Sequence, residues 1–236
     1  MARAVAEDLE RLREVVRNRY AQSGQPAEVV VALNKHNDRV LQHAEDIAAG
    51  EGLDEAATEV LKTIAALHDI AKADTHLMLH ADAGADAAEE ELRKLGKDDA
   101  FVAAVVQGIR CHMGPFPFIE EQAEKYEART GEHLDLPRPQ LPIEKLFYDA
   151  DMLALIDIEG IEKVVVLRQT TSEFIEEDKR TSAEESITPR TAAYRSAMQS
   201  VHRAVDTLFS DTAKKLAAAL VEEAERHVAE RLSTES

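Results

Sequence analysis

Apolar residues recur at helical spacing along almost the whole chain. Over 2–20, Val5, Leu9, Leu12 and Val16 make a thin stripe through a charged segment, the pattern of a helix with one buried face. Ser23-Gly24 breaks it, and Pro26 suits the first turn of a second helix. That helix is predicted over about 26–49, with Val29, Val30, Leu33, Val40, Leu41 and Ile47 facing inward and Gly50 as its stop. Asp54 is an N-cap with Glu55 in the first turn. The third helix continues through the apolar run 60–67 to Lys72. Periodicity lapses over 73–81, predicting a loop, and a short helix follows over about 84–95, ended by Gly96. Asp98 or Asp99 caps a strongly apolar helix carrying Phe101, Val102, Ala104, Val105 and Ile109, which must end before Gly114-Pro115.

Residues 114–142 break the pattern. Pro115, Pro117, Pro137, Pro139 and Pro142 bracket a polar, helical insert with Phe116, Phe118 and Tyr126. It has too few apolar residues for a core of its own, so it reads as a flap over a cleft. Helices follow over about 142–157 and 159–180, then a long final pair over 188–232, starting at Thr188-Pro189 and broken near Ser210-Asp211. In that pair Val201, Val205, Leu208, Leu216, Leu220 and Val228 form a stripe that serves either a homodimer or packing onto the bundle. No strand-period segment and no repeat is evident. The expectation is one all-α domain over 1–236.

Composition supports this and narrows the partners. The 236 residues are 44% hydrophobic and 31% charged, without tryptophan. The net charge is −18, from 46 acidic against 28 basic residues, which disfavours binding to a nucleic-acid polymer. Cys111 is the single cysteine, so no intrachain disulfide forms. No run approaches the roughly 20 apolar residues of a spanning helix, and residues 1–8 lack a signal-peptide core. The chain reads as soluble, cytoplasmic and free of membrane.

The chemistry gathers around His68-Asp69, which closes the apolar run of the third helix. His36, His80, His112, Asp149 and Asp151 also sit at or near helix ends. Imidazoles and carboxylates without cysteine suit Fe, Mn, Co, Ni or Zn. Six such donors are enough for two divalent transition-metal ions sharing a carboxylate, and Asp69 is the central one in sequence. Two ions about 3.5–4 Å apart generate hydroxide at neutral pH and hold both sides of a phosphoryl displacement. Each residue also has a bland role. His36 suits an exposed helix face, His68 a helix C-terminus, His112 packing on Pro115, and Asp149 or Asp151 a cap. His76 stands one helical turn before His80 and His43 seven residues after His36, so both compete for the same roles.

The order His36, then His68-Asp69-Ile70-Ala71-Lys72, then Asp149-Ala150-Asp151-Met152-Leu153 resembles the HD-domain superfamily of metal-dependent phosphohydrolases over 30 to about 160. His80 ahead of Gly84-Ala85, and Ile109-Arg110-Cys111-His112, resemble its dinuclear branches. The resemblance implies a helical bundle with the metal site in its core, within about 26–160. It implies His36, His68, Asp69 and Asp151 on one metal, and His80, His112 and the bridging Asp69 on a second. Asp69 and Lys72 would be catalytic, with Lys72 and Arg110 contacting a small phosphorylated substrate. The implied activity is hydrolysis of a phosphate ester or nucleotide by a hydroxide made at the metal. Alternatives on the same scaffold are a di-iron oxygenase cleaving a C–C or C–P bond, and a non-catalytic metal-binding regulator. Ala71 stands where many members have glycine. The Gly-Tyr-Pro triplet and His-His pair of the cyclic-dinucleotide branch are missing, and the stretch between His112 and Asp151 is expanded.

Overall fold

The computed structural model describes residues 2–114 and 116–233, which form helices without any strand; Pro115, one of the bracketing prolines, lies outside them. In chain order the helices are α1 (Ala2–Gln22), α2 (Ala27–Glu51), α3 (Glu55–Leu67), α4 (His80–Lys94), α5 (Asp99–Arg110), α6 (Pro117–Thr130), α7 (Pro142–Ile156), α8 (Ile158–Thr170), α9 (Ser172–Glu185), α10 (Pro189–Val205) and α11 (Asp211–Ser233). Their starts follow local chemistry. Asp54 accepts the Ala57 N–H at 2.8 Å, Asp98 that of Phe101 at 2.9 Å, and Thr188 that of Thr191 at 3.1 Å. Each cap satisfies a donor that the first helical turn leaves without a partner. No helix of the described residues is long and apolar enough to cross a membrane.

The axis of the bundle is α7, buried at every position from Leu146 to Ile156. A helix buried on all sides must be surrounded: α2, α3, α8, α10 and α11 pack on it, while α4 and α5 form an adjoining pair. From the C-terminal stripe, Val201, Leu208 and Val228 are buried within this one chain, and Leu216 and Leu220 pack against the same core. That stripe serves the bundle.

Four boundaries differ from the sequence expectation. Helix α2 runs past Gly50 and stops at Gly52, which adopts the left-handed conformation (φ 67°). Helix α3 ends at Leu67, not Lys72, and successive turns follow, with Ile70 N–H bonded to Leu67 and Lys72 N–H to Asp69. Helix α4 starts at His80, four residues before its expected start. The expected helix over 159–180 is two helices, parted where Thr171 is extended (φ −92°, ψ 122°).

Gly160 is where α8 turns tightly off α7. A Cβ there would lie 2.2 Å from the Ala154 carbonyl oxygen and 2.6 Å from that of Leu155. Backbone cannot move aside as a side-chain tip can. Gly160→Ala should therefore destabilise the protein by about 3 kcal/mol, read as a lowered midpoint in urea unfolding. An unchanged midpoint would contradict the tight crossing.

Candidate metal centre

Five segments deliver side chains to one buried point. His36 comes from α2, His68 and Asp69 from the turn after α3, His80 from the start of α4, His112 from just beyond α5, and Asp151 from α7. All six are buried. Ending α3 at Leu67 matters here, because adjacent residues on a continuous helix point about 100° apart. In the turn, His68 Nε2 lies 3.4 Å from Asp69 Oδ2.

The two oxygens of Asp69 face different partners. Oδ2 lies 3.8 Å from His36 Nε2, whereas Oδ1 lies 3.2 Å from His80 Nε2 and 3.8 Å from His112 Nε2. Asp151 Oδ1 joins the first set, 3.1 Å from His36 Nε2 and 3.9 Å from His68 Nε2. The donor atoms of His36, His68 and Asp69 lie within 4.8 Å of one another, as do those of Asp69, His80 and His112.

Three of the rings are held in one tautomer. His68 Nδ1 donates to the Ala65 carbonyl at 3.0 Å, His80 Nδ1 to Leu77 at 2.5 Å and His112 Nδ1 to Ile109 at 2.6 Å. A carbonyl only accepts, so Nδ1 carries a proton, and whenever the ring is neutral its Nε2 lone pair turns inward. For His68 and His112 the acceptor is one of the carbonyls a helix end leaves free. The Nε2 atoms of His80 and His112 meet at 3.0 Å. Two lone pairs at that distance repel unless a proton or cation lies between them. His36 Nε2, His68 Nε2 and Asp69 Oδ1 are buried without a hydrogen-bond partner; the approach of His36 to Asp151 is close but misaligned. Each such orphan costs roughly 1–3 kcal/mol. Lone pairs and carboxylate oxygens converging without partners fit divalent transition metals.

The surroundings tune these groups. Burial, and next Lys163, push His36 down to about 4. Burial, then His80 and His68, push His112 down to about 3. Burial would also lower His68, but the Asp69 carboxylate outweighs it and the net shift is upward. Burial works to raise both aspartates, yet His68 and Lys72 hold Asp69 well below its usual range, and His36 and His68 do the same for Asp151.

These shifts set an acid limit for the metal-free chain. Unfolded histidine titrates near about 6.5, so between there and pH 4 the unfolded chain takes up protons that folded His36 and His112 refuse. Their stabilisation is complete above about 6.5 and is lost as pH falls toward 4 and 3. His68, shifted upward, acts in the opposite sense, leaving two rings against one. Chelator-treated protein should melt about 5 °C lower at pH 5 than at pH 7. Equal or higher melting at pH 5 would contradict the neutral, buried rings.

The cluster opens into a cleft of about 870 Å³, whose walls include His80, His112 and Asp151. Helix α6 supplies one wall through Phe118, Ile119 and Tyr126, with Phe116 just before it. Lys72, Lys125, Arg129, Lys163, Arg168 and Arg180 line it against Asp151, Glu176 and Glu177, reversing the acidic balance of the whole chain. Lys72 Nζ is bonded to Asp69 Oδ2 at 2.8 Å. Arg110 was expected at the substrate and does not line the cleft; its guanidinium turns to Asp86 at 3.1 Å and Asp82 at 3.9 Å. Its neighbours on α4 are acidic, and they draw it outward.

The competing residues have other partners. Asp149 accepts the Phe209 and Ser210 N–H groups, each at 2.8 Å, and so docks the α10–α11 connection. His43 lies 3.2 Å from Asp157, which Arg39 also holds at 2.7 Å. His76 packs on the Tyr126 ring, centroids 4.9 Å apart. Cys111 is buried, and burial together with Glu144 pushes its thiol up to about 12, so it is inert. Two residues went unnoticed in the sequence. Tyr20 donates its hydroxyl to the Asp69 carbonyl at 2.9 Å and fixes the turn. Lys163 on α8 is buried beside the cluster, where burial and the nearby Lys72 push it down to about 8. The visible signal was a lysine within the apolar run 161–167.

No curated protein and no solved structure matches the chain. The model of the HD domain family matches residues 34–155, just over half of the 236 residues and the stretch that runs from before His36 to beyond Asp151. On that match, joined to a helical bundle with His and Asp donors at its centre, the chain belongs to the HD domain family.

Proposed function

We propose that the protein is a phosphohydrolase that uses two divalent metal ions to cleave an organic phosphate ester or nucleotide. The observation that carries this reading is the division of Asp69, with Oδ2 toward His36 and Oδ1 toward His80 and His112. Asp151 completes the first set and Asp69 is shared. Bound there, such ions supply Lewis acidity and an activated water for an in-line displacement.

The chain's own groups do the rest. The Nδ1 bonds to Ala65, Leu77 and Ile109 keep three Nε2 atoms aimed inward, which limits reorganisation when cations enter. Lys72, held at the bridging carboxylate, is placed to offset charge growing on phosphoryl oxygens. The basic lining favours an anion. Met78, Phe116, Phe118, Leu167 and Phe174 make another part of the cleft apolar, which suits an ester with an organic body better than a bare polyphosphate.

The test is metal analysis of untagged protein purified without chelator, run with phosphate release from a panel of nucleotides and phosphomonoesters. About two transition-metal ions per chain together with phosphate release is the expected result. Two irons with O₂ uptake and no phosphate would replace this reading with the di-iron oxygenase. Failure to take up Mn, Fe or Co would overturn both.

A further inference from the structure

We infer that Lys163 is a substrate-binding residue, the anchor for the anionic head of the ligand in the cleft. The inference rests on the phosphohydrolase reading for its ligand class, a phosphate or organic phosphate.

Lys163 is 6% exposed and lines the cleft. Among the described residues it has no hydrogen-bond partner and no carboxylate within ion-pair distance, and its Nζ keeps some access to the cleft. The other cleft cations differ from it. Lys72 is bonded to Asp69 Oδ2 at 2.8 Å, and Lys125 lies at the rim, 3.0 Å from Glu121. Arg168, also buried, is held by Asp178 at 2.5 Å and by Glu177 at 2.9 Å. Arg129 contacts His76 at 3.2 Å, and Arg180 is exposed. Of the two buried cations on the cleft wall, Lys163 is the unpaired one.

An ammonium on a side chain withdrawn from bulk water to a cleft wall, with no counterion in contact, is disfavoured. Long-range attraction to Asp69 and Asp151 offsets part of that cost, but Asp69 already pairs with Lys72. Cations in the cluster would take up the remaining carboxylate charge. Lys163 then shares the cleft lining with a cationic cluster, and an anion held between them satisfies both. The tight crossing at Gly160, one turn earlier on α8, fixes the lysine's position relative to Asp151 on α7. An ammonium with three donors is a strong point-charge partner for phosphate oxygens.

The test uses inorganic phosphate as the probe. Reductive methylation of the metal-loaded wild type, followed by peptide mass mapping, reads whether phosphate shields Lys163. Phosphate titrations then compare wild type, Lys163→Met and Lys163→Arg, with metal content measured on each. Shielding of Lys163 is expected, with phosphate binding about 10–100-fold weaker in Lys163→Met and largely restored in Lys163→Arg at unchanged metal content. Equal labelling with and without phosphate, or wild-type phosphate affinity in Lys163→Met, would overturn the anchor. The shielding result on wild type decides the matter if Lys163→Met does not fold. Shielding in a protein that takes up no metal would keep the anchor and remove the hydrolase reading. Phosphate release with Lys163 unshielded would do the reverse.

Discussion

On the two-metal phosphohydrolase proposal, Asp69→Ala is expected to lose both metal ions and to lower phosphate release by on the order of 10³-fold or more. Its two oxygens address the two halves of the cluster separately, Oδ2 the His36 and His68 side and Oδ1 the His80 and His112 side. No other carboxylate among the described residues reaches both halves, since Asp151 approaches only His36 and His68 within ion-pair distance. The fold should survive the change. Asp69 lies in a turn outside α3, and its backbone carbonyl, which alanine retains, is what Tyr20 holds at 2.9 Å. Metal analysis, helical circular dichroism and phosphate release on the same preparation test this. Wild-type metal content in the variant would refute the bridging role.

His112→Ala is expected to remove about one ion of two. It takes a donor from the second half alone and leaves His36, His68, Asp69 and Asp151 in place. It also relieves the 3.0 Å contact between the Nε2 atoms of His80 and His112, so the metal-free variant should fold at least as well as the parent. The wild type should gain more from added metal. An ion present at about 100 times its Kd stabilises by about 2.7 kcal/mol, roughly 5–10 °C for a chain of this size. With two such ions the wild type should gain about twice this, and the single-ion gain in His112→Ala, with one ion retained, is the outcome the divided site predicts. Retention of both ions, or loss of both, would contradict the division.

Both variants act on residues that were readable in the chain, and it is instructive which others were not. The N-caps Asp54 and Asp98, and Thr188 ahead of Pro189, mark helix starts because a cap acts on an amide two or three residues away. The apolar stripes of α2 and α5 identify buried faces for a similar local reason. The donor set His36, His68, Asp69, His80, His112 and Asp151 was legible through the order of its motifs, and the structure brings all six together.

Other features depend on partners far along the chain. Asp149 and Asp151 look alike in sequence, yet one turns to the amides of Phe209 and Ser210 and the other to His36. Arg110 sits two residues before His112, but the acids of α4 draw it away from the cleft. Lys163 reads as an ordinary helical lysine until α8 is set against α7 at Gly160. The break at Thr171 has no proline or glycine to announce it.

By itself, then, the sequence determined the all-α class, most helix starts and the six cluster residues, because periodicity, capping and motif order act within a few residues or in fixed succession. Only the tertiary structure decided how Asp69 divides its oxygens, that Asp149 is occupied in docking the α10–α11 connection, and that an unpaired lysine stands on the cleft wall beside the cluster. Those outcomes are set by distances between atoms that the chain separates by tens of residues, and packing of the helices around α7 is what fixes such distances.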